Sequence, residues 1–158
     1  HYQELLVGQS TGLLIAESQK GYPILAIYEP SIEEIRAHKL NELSLYDSSD
    51  MVNQFCIDNT HGWWNKATRV GLMNSIAIER ESGRSETSIW LGDTQFVLPI
   101  EKAIDILCQL ELYALTCYNV TQGHINAIYQ LETKEEIKAY NFKTGYPRKL
   151  NFSGYPIV

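Results

Sequence analysis

Ser88-Ile89-Trp90-Leu91-Gly92-Asp93-Thr94-Gln95-Phe96-Val97-Leu98-Pro99 opens the stretch that decides the fold, which continues to Leu131. Gly92-Asp93 pairs two residues able to take positive φ, set between apolar runs. That pattern predicts a β-hairpin of Ser88–Leu91 and Thr94–Leu98. Pro99 suits the first position of a helix, where its missing N–H costs nothing, and the helix is expected to run to about Asn119. Ile100, Ala103, Ile104, Leu107, Ala114, Leu115 and Tyr118 mark one face at helical spacing. Ile106, Leu110, Tyr113 and Cys117 mark a second. A helix apolar on two faces is normally enclosed by neighbours, so this one is expected to be the core helix. Glu111 is the misfit in the first stripe, and a carboxylate there should find a cationic or hydrogen-bonding partner or lie at the edge of the stripe.

Working outward, the 158 residues are 44% hydrophobic, enough for one proper core. Net charge is −6, and no run of Lys or Arg exceeds two. That argues against a nucleic-acid surface, which needs clustered cations. No apolar run approaches the ~20 residues of a membrane span, and no secretory signal pattern is present. No cofactor motif stands out. Cys56, Cys108 and Cys117 include no CxxC. Cys108 and Cys117 lie about 13.5 Å apart along one helix, beyond the ~7 Å that a disulfide spans. All three are expected as buried reduced thiols.

Residues 2–28 look β-rich. Leu13-Leu14-Ile15-Ala16 and Ile24-Leu25-Ala26-Ile27-Tyr28 flank Gln19-Lys20-Gly21 and predict a second hairpin. Beyond Pro30, Ser31 with Glu34 forms a capping box for a helix ending before Asp47. Phe55-Cys56-Ile57 reads as a strand entering a turn at 58–62. Asn65 caps a helix from Lys66 to about Ser82, stopped by Gly83. Thr121 is expected to open a separate short helix, and Thr133 with Glu136 caps a last one. Gly-Tyr-Pro recurs at 21, 145 and 154, each a turn into extended chain. The fold class is therefore α+β, a small helical domain around a long central helix with short β-hairpins. Residues 1–30 form an N-terminal segment and 31–158 the domain.

Several chemical patterns have simpler explanations. Gly8-Gln9-Ser10-Thr11-Gly12 spells a nucleophile elbow, but the residues after it read as strand rather than helix. Asp58, His61, Asp47 and Asp50 lack the second histidine of a metal site and read as polar turns. Cys117 and His124 suggest a nucleophile–base pair, since both are expected near the junction of two helices, but a thiol in an apolar stripe is normally inert. Lys143, Arg148 and Lys149 read as a solvated surface. Trp64 and Trp90 are expected in the core, whereas Trp63 is the better interface candidate.

Trp64-Asn65-Lys66-Ala67-Thr68-Arg69-Val70-Gly71-Leu72-Met73-Asn74, Ile89-Trp90-Leu91-Gly92, Leu98-Pro99, Leu110-Glu111-Leu112-Tyr113-Ala114, Cys117-Tyr118-Asn119-Val120-Thr121, Thr133-Lys134-Glu135-Glu136-Ile137 and Gly145-Tyr146-Pro147-Arg148-Lys149-Leu150 form a longer pattern. It resembles an uncharacterised domain family of phages and prophages, especially of Bacteroides-type hosts. A looser likeness runs to modules of tail-fibre and tail-fibre assembly proteins. The resemblance covers about residues 32–152 and carries no activity. It implies a virion protein assembled in the bacterial cytoplasm that associates with itself or with other phage structural proteins. It also implies an Arg69–Glu111 ion pair, since both residues fall in the pattern. Residues 2–28 lie outside it. Their two strands make only one hairpin, which is marginal alone in water, so Leu13, Ile15, Ile24, Leu25, Ile27 and Tyr28 join Trp63 as interface candidates. The expected function is a non-enzymatic structural or assembly module. The alternative is a small phage enzyme or host-directed regulator in the bacterial cytoplasm.

Overall fold

The computed structural model describes residues 13–17 and 23–154, with side chains from Ile27 onward. The fold is α+β. In order come β1 (Leu13–Glu17), β2 (Pro23–Ile27), α1 (Ile32–Asp47), β3 (Phe55–Ile57), β4 (Thr60–Gly62), α2 (Lys66–Glu81), β5 (Glu86–Leu91), β6 (Thr94–Pro99), α3 (Ile100–Gln130), α4 (Lys134–Ala139) and β7 (Asn151–Phe152).

The spine is α3, one 31-residue helix where the sequence suggested two. Nothing between Asn119 and Gly123 removes a backbone donor. Gly123 costs about 1 kcal/mol against alanine in a helix, but the turns around it bury Thr121 and Ile128. Packing therefore overrides a weak local break. Pro99 is the last residue of β6 rather than the first of the helix. Its ψ of 139° is extended, and Ile100 N–H donates to Ser85 C=O at 2.9 Å.

Among the described residues, three apolar clusters are strung along α3. Ile100, Ala103, Ile106, Leu107 and Leu110 pack with Ile76 of α2, with Ile89, Leu91, Phe96 and Leu98 of the β5–β6 hairpin, and with Phe55, Ile57, Trp64 and Phe152. Tyr113 and Cys117 close on Val52. Ile128 meets Leu43 of α1 and Phe142. The buried stripe thus follows the Ile106, Leu110, Tyr113, Cys117 series and continues to Thr121 and Ile128. The upper half of the other series leaves it: Leu115 and Tyr118 face solvent.

In the β5–β6 hairpin, Ile89 pairs with Phe96 and Leu91 with Thr94. Gly92 alone of the turn pair has positive φ, +61°, the signature of a type II′ connection. Alternation decides Trp90. Ile89 and Leu91 point inward, so Trp90 points outward and is 55% exposed rather than buried. Trp64 is in the core, its indole N–H donating to Trp90 C=O at 2.9 Å. Between β3 and β4, Asp58 (φ 45°) and Asn59 (φ 67°) form the two-residue turn. Strand order in that sheet is β4-β3-β7, with β7 parallel to β3. Cys108 is exposed, contrary to expectation, while Cys56 and Cys117 are buried.

Candidate functional site

Helix caps position the side chains that matter. Asn65 accepts from Thr68 N–H at 2.9 Å and starts α2, so that Arg69 falls on its inner face. Arg69 Nε is 2.6 Å from Glu111 Oε1. Its Nη1 donates to Trp64 C=O at 2.7 Å, and the guanidinium lies 5.2 Å from the Trp63 ring centre. The arginine side chain is 7% exposed and the glutamate 45%. The pair bolts α2 to α3 with one end buried and one end wet.

Trp63 is half-buried. Its ring meets Phe55 and Tyr113 edge-on at 6.3 and 6.0 Å. It sits between two core clusters, which leaves less of it for a partner than sequence suggested. Of the other interface candidates, the backbones of Leu13, Ile15, Ile24 and Leu25 lie in β1 and β2, and their side chains fall outside the described residues. β1 pairs with β2 from Leu13↔Ile27 to Glu17↔Pro23. Among the described residues this hairpin joins neither of the other sheets. Ile27 is 78% exposed. Tyr28 is tied back, its hydroxyl bonding Glu34. That contact also changes the cap of α1: Ser31 accepts from Glu34 N–H at 3.2 Å, while the Glu34 carboxylate reaches Tyr28. At α4 the capping box of Thr133 and Glu136 is complete.

A polar cluster that sequence reasoning did not assemble lies where α1, α3 and the tail meet. Thr121 Oγ1 is 2.6 Å from Asp47 Oδ1 and 2.7 Å from the Tyr146 hydroxyl. His124 Nδ1 is 2.6 Å from the Tyr140 hydroxyl and Nε2 is 2.8 Å from Thr144 C=O. Tyr113 OH donates to Val52 C=O at 2.5 Å. Burial raises the Tyr113, Tyr140 and Tyr146 phenols and the Cys117 thiol above their ordinary values. A protonated thiol is a poor nucleophile, and His124 is engaged by Tyr140 and Thr144 rather than by Cys117. The one available signal was helical spacing, since Thr121 follows Cys117 by four residues.

Asp58 Oδ1 accepts from Gly154 N–H at 2.8 Å, a structural use of that turn. Among the described residues no three His, Cys, Asp or Glu side chains converge as metal ligands, and no helix is long and apolar enough to cross a membrane. Among the described residues, two clefts flank α1. One of about 500 Å³ opens beside Pro30, where Glu34 and Glu42 face Lys39 and Lys138. The other, about 300 Å³, lies between α1 and α3, with Leu40, Ser44, Tyr118, Gln122, Ile125 and Tyr129 in its walls. No family model matches the chain, and no curated protein or solved structure matches it.

Proposed function

We propose that the chain is a non-enzymatic phage structural or assembly module, working through protein–protein contact in a virion assembled in the bacterial cytoplasm. The observation that carries this reading is the β1–β2 hairpin. It stands as its own two-stranded sheet among the described residues, ends in an exposed Ile27, and precedes the region of phage-family resemblance. Two strands alone are marginal in water, and open strand edges are templates for another chain. The hairpin is thus the docking element, and the domain from α1 onward is its carrier.

Virions purified from a phage-producing culture should contain the chain in fixed proportion to other tail components, as measured by quantitative mass spectrometry. Recovery only in the cytoplasmic fraction would refute the structural role and favour a regulator or enzyme. Ile27→Lys and deletion of residues 1–29 should each leave a folded domain that no longer joins the particle. An unfolded deletion product would make the hairpin core structure, and unchanged incorporation would remove its docking role.

A further inference from the structure

In the cleft of about 300 Å³ between α1 and α3, Asp47 is the one charged side chain among the described lining residues. The buried Thr121 sets its direction. A carboxylate only accepts, so the Thr121 hydroxyl donates to Asp47 Oδ1 at 2.6 Å and accepts from the Tyr146 hydroxyl at 2.7 Å. That relay holds one carboxylate oxygen. The other takes no hydrogen bond from a described residue. It is open to solvent, since the buried side-chain polar atom left without a partner among the described residues is Arg36 Nε. None of the ion pairs among the described residues reaches Asp47. The Lys143 ammonium lies 5.6 Å from the centre of the Tyr46 ring instead. Asp47 is also the last residue of α1, whose final turn carries no basic side chain. The negative end of the helix dipole therefore adds to the carboxylate rather than offsetting it. Burial does most to raise the Tyr146 phenol and the Cys117 thiol, and the Asp47 charge adds to it. Its field is thus felt throughout the cluster.

The rest of the cleft is mostly apolar and aromatic. The two helices run antiparallel here, with Asp47 against Thr121 and Leu43 against Ile128. Asp47 therefore marks one end of a slot, and Leu40 and Tyr129 mark the other. Two turns of α1 separate Asp47 from Leu40, a length of ~10.5 Å. Leu40 and Ile125 are half-buried along it, and the exposed rings of Tyr118 and Tyr129 stand at its rim. Aromatic faces attract cations and apolar bodies alike.

We infer that this cleft binds a small organic amine, its ammonium on the free oxygen of Asp47 and its apolar body along Leu40 and Ile125 toward Tyr129. Charge decides the head group: a fixed carboxylate with no counterion, at the negative end of a helix, takes a cation and rejects an anion. The lining decides the body, because beyond Asp47 it offers hydrocarbon and rings. Volume decides the size, since about 300 Å³ is the small end of ligand pockets. A bare metal ion fits poorly. The described lining brings no second carboxylate, histidine or thiol, and no three such groups converge among the described residues. The cleft lies apart from β1–β2, so this inference goes beyond the assembly reading and either can fail without the other.

Calorimetric titration of the full chain with phenylbutylamine, a ring on a short alkylammonium, should give a Kd of roughly 0.1–1 mM. The neutral isostere phenylbutanol should bind at least ~10-fold more weakly, and phenylbutyrate should not bind measurably. Asp47→Asn keeps an oxygen for Thr121 to bond, so the fold should persist by circular dichroism while amine affinity falls at least ~10-fold. Tyr129→Ser removes an exposed ring and leaves Asp47 in place. It should weaken binding about 3-fold, and it guards against a folding defect in the first variant. Amide NMR shifts on titration should centre on Ser44, Asp47, Gln122 and Ile125. Ile27→Lys should leave the affinity unchanged, which keeps this test distinct from that of the docking hairpin. No binding at about 10 mM, equal affinity for the amine and the alcohol, or binding indifferent to Asp47→Asn overturns the inference. Acetyl-lysine amide binding more tightly than phenylbutylamine would put a protein side chain in the slot and overturn the small-molecule assignment.

Discussion

Replacing Arg69 by methionine removes three contacts at once, and their sizes can be worked from the geometry. The Trp64 carbonyl, 2.7 Å from the guanidinium, would be left buried without that donor, costing about 1–2 kcal/mol. Loss of the charge over the Trp63 ring costs about 1 kcal/mol. The stranded Glu111 is 45% exposed and rehydrates, so its share stays below ~1 kcal/mol. Arg69→Met should therefore cost about 3 kcal/mol. Glu111→Leu removes the counterion of a side chain that is 7% exposed. The guanidinium keeps Trp64 C=O and the Trp63 face, so about 2 kcal/mol is expected. The double variant leaves no unpaired charge and should lose only ~2 kcal/mol, less than Arg69→Met alone. Urea unfolding followed by circular dichroism reads this directly. With a slope of about 2 kcal/mol per molar, Arg69→Met moves the midpoint down by ~1.5 M and the double variant by ~1 M. Equal midpoints for Arg69→Met and the double variant would refute the reasoning. So would an interaction energy under ~0.5 kcal/mol, which would place the pair among exposed ones.

Tyr113→Phe should cost about 1.5 kcal/mol by orphaning the Val52 carbonyl, a fall of ~5 °C in a thermal melt. The raised phenols and thiol give a pH dependence of known sign. Their protonated forms are favoured by the fold, so their contribution is whole below the ordinary values of 9.0 for Cys117 and 10.0 for the tyrosines and is lost as pH climbs past them. Melting temperature should fall from about pH 9 upward, and Cys117→Ala should delay the onset. Gly62→Ala would place a Cβ 2.5 Å from Leu91 Cδ1, a fully buried side chain, and should cost ~1–3 kcal/mol by overpacking in a denaturant titration. A thiol reagent should label Cys108 in the native protein and reach Cys56 and Cys117 only on unfolding, since those two are buried.

Features written in local chemistry were readable from sequence. Gly92 marked the hairpin turn, Asn65 and Thr133 marked helix starts, and the misplaced carboxylate of Glu111 asked for a cation that stands 2.6 Å away. Features decided by distant packing were not readable. The run from Asn119 to Gly123 looks like a break until Leu43 and Phe142 arrive to cover Ile128. Trp90 is turned outward by strand phase, whereas Trp64 lies between β4 and α2 and is held in the core against Phe55. The partners of Thr121 and His124 come from α1 and the tail, at sequence separations of 74 for Asp47 and 16 for Tyr140. No period in the chain encodes such meetings.

The parallel pairing of β7 with β3 sets an order of events in time. Asp58 and Gly154 stand 96 positions apart, yet they share a hydrogen bond. Phe152 fills a place in the largest apolar cluster beside Phe55. A growing chain therefore makes β3, β4, α2, the β5–β6 hairpin and all of α3 before the strand that completes the β4–β3 sheet exists. Until then the far edge of β3 is open and the cluster lacks a ring. Closure over so long a loop is entropically slow, and an open edge recruits whatever strand is near. The protein should thus pass through a late, sticky intermediate, and newly made copies at high local concentration should be the ones at risk of pairing with each other's tails.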